Sequence, residues 1–160
     1  MIGRNAGWGE RMERLRLRRA SEGDCELLFA WANDRETRKN SFRTENIEFE
    51  EHAAWFERKM HEDSCQMYIL LCAEKEAGQI RLDWQDGQDV AGISYVIAPE
   101  YRGMGLGSEI LRLVEPFACG KVLQGRVRRE NVASAKCFEK NGYLMAERER
   151  WLEFRKNIPL

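Results

Sequence analysis

Leu15 and Leu17 alternate with Arg14, Arg16 and Arg18, the period of two expected of a half-buried strand. Residues 1–13 are rich in Gly and Arg and show no period. They read as a flexible leader, and residues 14–160 as one domain. Ser21 followed by Asp24 resembles a capping box with Asp in place of Glu, and it opens a helix carrying Cys25, Leu27, Leu28, Phe29 and Trp31. Residues 33–46 are polar and basic and read as a loop with room for one short helical turn. Over residues 48–62, Phe49, His52, Ala53, Phe56 and Met60 fall near one face of a second helix. Three apolar runs follow at 66–73, 79–84 and 90–98. Turn signals at 76–78 and 86–87 separate them, which predicts an antiparallel meander. A glycine-rich turn then leads into a helix over 105–118 with Ile110, Leu111, Leu113 and Val114 in its body. Residues 123–127 read as a strand and 133–140 as a helix, which Gly142 can end in the left-handed conformation. The tail, 143–154, reads as two strands. The order β α α β β β α β α β β defines a mixed α/β (α+β) class.

Composition narrows the function without naming it. The 160 residues suit one domain, and 43% hydrophobic with 33% charged residues is the balance of an ordinary globular chain. A formal net charge of -1 gives no reason to expect a nucleic acid or membrane partner. No stretch approaches the ~20 apolar residues of a membrane span, and no apolar signal-peptide core opens the chain; a cytoplasmic location is expected. Cys25, Cys65, Cys72, Cys119 and Cys137 are odd in number and form no CxxC pair, so neither a disulfide framework nor a metal site is expected. The extended tail offers strand edges, and a homodimer is the favoured assembly.

The chemistry concentrates in Val96-Ile97-Ala98-Pro99-Glu100-Tyr101-Arg102-Gly103-Met104-Gly105-Leu106-Gly107-Ser108. A strand ends, three glycines alternate, and a helix begins. Glycines allow a tight turn and close approach of backbone to a ligand. The first N–H groups of a helix have no internal partner and sit in positive potential, so this turn suits a phosphate or pyrophosphate. A dinucleotide fingerprint requires G-x-G-x-x-G. The third position is Ser108 counted from Gly103, or Ile110 counted from Gly105. A P-loop requires Gly-Lys-Ser/Thr, which is absent. A bare strand–helix connection without a ligand is the remaining alternative.

Arg102-Gly103-Met104-Gly105-Leu106-Gly107 resembles the R/Q-x-x-G-x-G/A motif of the GNAT family of N-acetyltransferases. Asn131 through Tyr143 resembles that family's N-x-x-A/S-x-x-x-Y/F-E-K-x-G-F/Y helix. The resemblance implies the GNAT fold: a central mixed, mostly antiparallel sheet of about seven strands with a splayed parallel pair, flanked by about four helices. It implies acetyl-CoA as co-substrate and no metal. The backbones of Tyr95, Val96 and Ile97 would pair with pantetheine. Arg102, Gly103, Met104, Gly105, Leu106, Gly107 and Ser108 would surround the pyrophosphate, and Asn131 and Ser134 would touch the coenzyme from the second helix. Asn131 also reads as a helix N-cap.

In this family an amine attacks the thioester directly, so a base must remove the amine's proton. Many relatives use a Tyr on the last helix to protonate the leaving thiolate; here that position is Phe138. Ribosomal-protein acetyltransferases use a Glu five residues before the Asn; here that position is Arg126. The remaining catalytic candidates are His52 on the second helix and Asp83 and Tyr95 on central strands.

Trp31-Ala32-Asn33-Asp34, Arg38-Lys39-Asn40-Ser41-Phe42 and Ile47 through Phe56 resemble the subgroup that acetylates UDP-linked 4-amino sugars in pseudaminic acid synthesis, with Ala32 in place of the usual Arg. Arg35, Arg38, Ser41 and His52 are the acceptor candidates this implies, for a small-molecule amine such as a UDP-amino sugar. A peptide or protein amine is the next reading, and a non-catalytic acyl-CoA-binding module a third.

Overall fold

The structure, a computed structural model, describes residues 14–85, 87 and 89–160. The expected leader at 1–13 and Asp86 of the second expected turn lie outside the described residues. The described chain runs β1 (Leu15–Arg19), α1 (Cys25–Ala32), α2 (Arg35–Asn40), α3 (Phe49–His61), β2 (Cys65–Cys72), β3 (Lys75–Trp84), β4 (Val90–Ile97), α4 (Leu106–Val114), β5 (Val122–Val127), α5 (Val132–Lys140), β6 (Leu144–Glu147) and β7 (Leu152–Asn157). The strands form one sheet of seven in the order β1-β2-β3-β4-β5-β7-β6. Neighbours are antiparallel except β4 and β5, which run parallel. This is the fold expected from the sequence.

Three local details differ. The basic loop contains a true helix, α2. Asp34 caps it, accepting from the N–H groups of Glu36 and Thr37 at 3.1 and 3.2 Å. The β2–β3 turn sits at Ala73 and Glu74, both at positive φ, and not at 76–78. Gly78 lies instead inside β3, where a Cβ would stand 2.8 Å from the Val96 carbonyl oxygen; it marks a close strand approach and not a turn. The helix expected over 105–118 ends at Val114 and continues as a 3-10 turn, Glu115–Ala118, because Pro116 cannot extend the α ladder.

Register decides which side chains share a face. On the first face, Met67, Ile69, Leu71 and Val96 pack against Leu28 and Trp31 of α1 and Phe56 of α3. On the second, Leu70, Ile80, Leu82, Ile93, Leu123 and Phe154 pack against Ile110, Leu111 and Val114 of α4 and Phe138 of α5. Farther along the first face the residues turn polar: Gln124 and Arg126 on β5 face Arg155 and Glu153 on β7 in register.

The β4–β5 ladder pairs Val90 with Val122 through Ile93 with Gly125 and then stops. Beyond it, Ser94–Ile97 retain only β3, and Arg126 and Val127 retain only β7. The Phe138 ring sits under the point of divergence. A Cβ at Gly125 would lie 2.4 Å from its Cζ, so only glycine admits the ring there.

Candidate active site

The glycine turn is built by two distinct constraints. Gly103 and Gly105 have φ of 76° and 77°, in the left-handed region that a side chain disfavours. Nothing lies within 4 Å of a Cβ at either one, so the space outside the turn is open. Gly105 is the N-cap of α4, and the unpaired N–H groups of that helix start face this space. Gly107 is glycine for packing. A Cβ there would meet Cys137 Sγ at 2.9 Å and the Tyr95 hydroxyl at 3.5 Å.

A cleft of about 610 Å3 runs from this turn to the splay and passes through it. Ile93, Tyr95, Ile97 and Val127 line it from the second face, with Asn131, Ser134 and Cys137 of α5. Ser94, Val96 and Arg126 line it from the first face. Glu36, Thr37, Asn40, Ser41 and Phe42 close the first-face side as a wall. The cleft is thus lined from both faces of the sheet at the splay.

The expected donor-site residues mostly converge on the cleft. Tyr95, Val96, Ile97, Arg102, Gly103, Gly105, Leu106, Gly107, Asn131 and Ser134 line it. Met104 and Ser108 do not: Met104 packs against the core, and the Ser108 carbonyl and hydroxyl accept from Asn141 Nδ2 at 3.0 and 3.1 Å, which ties α4 to the end of α5. Asn131 caps α5, its side chain accepting from Ser134 N at 3.3 Å. Arg102 lines the cleft but turns its guanidinium away from the turn. It pairs with the Asp34 carboxylate, donates to Thr37 Oγ1 at 3.1 Å and stands 3.5 Å from Glu36. The Arg102 hydrogen bond holds the Asp34 carboxyl below its ordinary range. Arg128 donates to the carbonyls of Lys39 and Ser41 at 2.8 and 3.1 Å. Two arginines from the donor side therefore fasten the α2 wall.

The catalytic candidates separate. His52 is corrected out of the site. It is 4% exposed, its ring lies 5.4 Å from Phe29 and 5.6 Å from Trp55, and its Nε2 is 3.2 Å from the Cys25 carbonyl oxygen. Burial lowers its pKa, so it is a neutral core side chain. Asp83 is also outside the cleft lining, bound to Lys59 at 3.1 Å and Arg81 at 2.7 Å. Burial works against its ionisation, yet these two cations hold its carboxyl below the usual range, which makes it a poor base. Tyr95 remains, its hydroxyl 3.0 Å from Ser134 Oγ. Burial, then the neighbouring Cys137, push its pKa well above that of a free phenol. A phenol so resistant to ionisation suits a hydrogen-bond donor and not a base.

The acceptor candidates separate as well. Only Ser41 lines the cleft. Arg38 is spent on the loop, donating to the carbonyls of Ala32 and Arg43, each at 2.7 Å, and to Ser41 Oγ at 3.2 Å. Arg35 is exposed and outside the lining. Trp31 is core, and Asn33 brackets Ile47 through its N–H and carbonyl at 2.7 Å each. The segment thus owes its pattern largely to building a loop. Sequence reasoning missed Glu36, Phe42 and Arg128 and did not give Arg126 a binding role. The available signal for Glu36 was Asp34 as an N-cap ahead of an acidic first turn. Among the described residues no cluster of three or more His, Cys, Asp or Glu suits a metal ion, and no helix is long and apolar enough to cross a membrane.

A glycine-built helix start at one end of the cleft and split strands at the other are the features that the resemblance to acetyl-transfer enzymes implies. A family model described as the acetyltransferase (GNAT) domain matches residues 14–144, and the chain belongs to that family. It is an acetyl-CoA-dependent N-acetyltransferase. Similar solved structures include a spermidine N-acetyltransferase from Vibrio cholerae in complex with coenzyme A and spermine, with 18% identity and a TM-score of 0.81 over 91% of this chain and 96% of that one. A ribosomal α-N-protein acetyltransferase in complex with coenzyme A aligns with 16% identity and a TM-score of 0.77 over 90% of this chain and 94% of that one. An aminoglycoside acetyltransferase in complex with paromomycin and acetyl-CoA aligns with 17% identity and a TM-score of 0.74, covering 89% and 93%. No curated protein matches in sequence.

Proposed function

We infer that the chain acetylates a primary amine on a small molecule by direct attack on acetyl-CoA, and that the acceptor is a nucleotide-linked amino sugar. The observation that carries the direct transfer is the cleft itself, which reaches the splay from both faces of the sheet. The donor enters along the second face. The N–H groups of residues 103–108 bind its pyrophosphate, and the unpartnered strand edge of residues 95–97 holds its pantetheine arm. The amine enters along the first face, past Ser94 and Ser41.

The reaction forms a C–N bond and breaks a C–S bond. Glu36 is the one carboxylate among the described cleft-lining residues, and it accepts the amine's proton, directly or through water. The Tyr95 hydroxyl, oriented by Ser134, donates a hydrogen bond to the leaving sulfur. A phenol this resistant to ionisation does not surrender its proton to a thiolate whose own pKa is about 8.5; water supplies that proton. Phe138, 2% exposed and packed under Gly125, takes no part in the transfer.

The amino-sugar acceptor is supported by the part of the likeness to the UDP-amino-sugar subgroup that lines the cleft, Asn40-Ser41-Phe42, beside Glu36 and Thr37. A peptide amine is the second reading, favoured by the open first-face mouth. Coenzyme A release measured against a panel of amines, with mass spectrometry of the product from a UDP-4-amino sugar, tests both. Turnover on peptides with no acetylated sugar overturns the sugar reading.

A further inference from the structure

Arg126 is an oriented cation without a counter-charge. Its guanidinium stacks over the Trp151 ring at 4.7 Å, and among the described residues it makes no hydrogen bond or ion pair. The reason lies in the register. The residue opposite it on β7 is Glu153, but that carboxylate is already taken by Arg148 at 2.7 Å and Gln124 at 2.9 Å. Other arginines around the cleft are committed: Arg81 to Asp83, Arg102 to Asp34, and Arg128 to the carbonyls of Lys39 and Ser41. Arg126 alone among these lines the cleft with its donors free, on the first face where the acceptor enters.

Phe42 shares the Trp151 ring with it. It lines the cleft, is 57% exposed, and its ring stands near-perpendicular to Trp151 at 6.3 Å, so much of its aromatic surface is uncovered. A flat, half-fixed guanidinium next to an exposed aromatic face suits a phosphate joined to a planar base: Arg binds phosphate oxygens through a rigid fork of N–H donors, and the ring offers stacking surface. Glu36, 3.5 Å from Arg102, is the carboxylate in the same lining and supplies the opposite polarity for the amine end.

We propose that Arg126, with Phe42, forms the acceptor-binding subsite for the nucleoside diphosphate portion of the substrate, selecting amines that carry an anion over polycationic ones. This rests on the acceptor reading above and deepens it. Trp151 acts as a positioning residue that holds the guanidinium flat.

The test uses uridine 5′-diphosphate as the probe, titrated calorimetrically into the full chain saturated with coenzyme A, so that the glycine turn is occupied. Wild type binds, and Arg126→Glu weakens binding about 10- to 100-fold, the span of one or two charge-assisted hydrogen bonds. Arg155→Ala, a cation on the same face outside the cleft lining, shifts it less than twofold. Raising salt weakens wild-type binding and, by screening the repulsion of the reversed charge, narrows the gap to Arg126→Glu. No binding by wild type, or equal binding by Arg126→Glu, overturns the subsite. So does an equal rise in the KM for acetyl-CoA in Arg126→Glu, which would assign the residue to the donor. If the diphosphate binds through Arg126 while only peptides are acetylated, the anion site stands, and its role in acceptor selection falls together with the amino-sugar acceptor.

Discussion

Replacing Gly125 by alanine tests whether the splay depends on the Phe138 ring beneath it. The added Cβ would stand 2.4 Å from Cζ and 2.7 Å from Cε1 of that ring, closer than real Cβ atoms come, and 3.2 Å from Cε2, a tight contact. The ring cannot simply retreat. Phe154 stacks on it at 5.2 Å, Tyr143 meets it edge-on at 4.9 Å, and Tyr95 lies 6.0 Å away on the cleft side. Overpacking of this kind costs about 1–3 kcal/mol. At the midpoint of that span, a chain of this length loses about 4–8 °C in Tm. The direction of least resistance is toward Tyr95, so the Tyr95–Ser134 hydrogen bond is displaced and kcat falls with stability. Thermal and urea unfolding of Gly125→Ala, Phe138→Leu and the double variant form the measurement. The smaller leucine relieves the clash, so the double variant is more stable than the sum of the single losses predicts, by about 1 kcal/mol or more. A Gly125→Ala chain melting within a degree of wild type, or strictly additive losses, would refute the reasoning.

Three further outcomes follow from the same geometry. Tyr95→Phe removes one hydrogen bond to the leaving sulfur and lowers kcat about tenfold, while the pH–rate profile keeps its shape because Tyr95 does not titrate in the working range; steady-state kinetics across pH check both, and a lost limb contradicts the donor role. Glu36→Gln lowers kcat/KM for the amine and moves the acidic limb of the profile to higher pH, as the amine must then lose its proton unaided; an unchanged limb assigns the proton to water alone. His52 has a folded pKa below its ordinary 6.5, so between the two values the unfolded chain binds a proton that the folded chain refuses. Stability is therefore intact above about pH 6.5 and falls on acidification by up to about 1.4 kcal/mol per pH unit. Denaturant titrations between pH 7 and 5 detect this slope, which His52→Gln abolishes.

The glycine-turn end of the cleft was legible in the sequence because its requirements are local. Left-handed φ at Gly103 and Gly105, a helix start immediately after, and Asn131 as the cap of α5 are all properties of short segments, and short segments carry them as residue types. Period and turn chemistry likewise carried the order of elements along the chain, while the sheet with its parallel pair came from the family resemblance. The acceptor half resisted because its determinants are relations between distant residues. His52 was chosen for its type and a family likeness, yet it lies on the same helix face as Phe56 and is buried with it. Nothing local distinguishes Arg38, exhausted on three carbonyls and a hydroxyl, from a free phosphate ligand. Arg126 shows the same limit in reverse. Its freedom arises only because Glu153, its partner in register across β7, is neutralised by Arg148 from the β6–β7 turn. A glutamate at position 126 would face Glu153 across the ladder and repel it. The exchange of an acidic for a basic side chain at this point thus fits a changed acceptor preference in the same fold, since the sheet that sets the register also decides which charge is left facing the cleft.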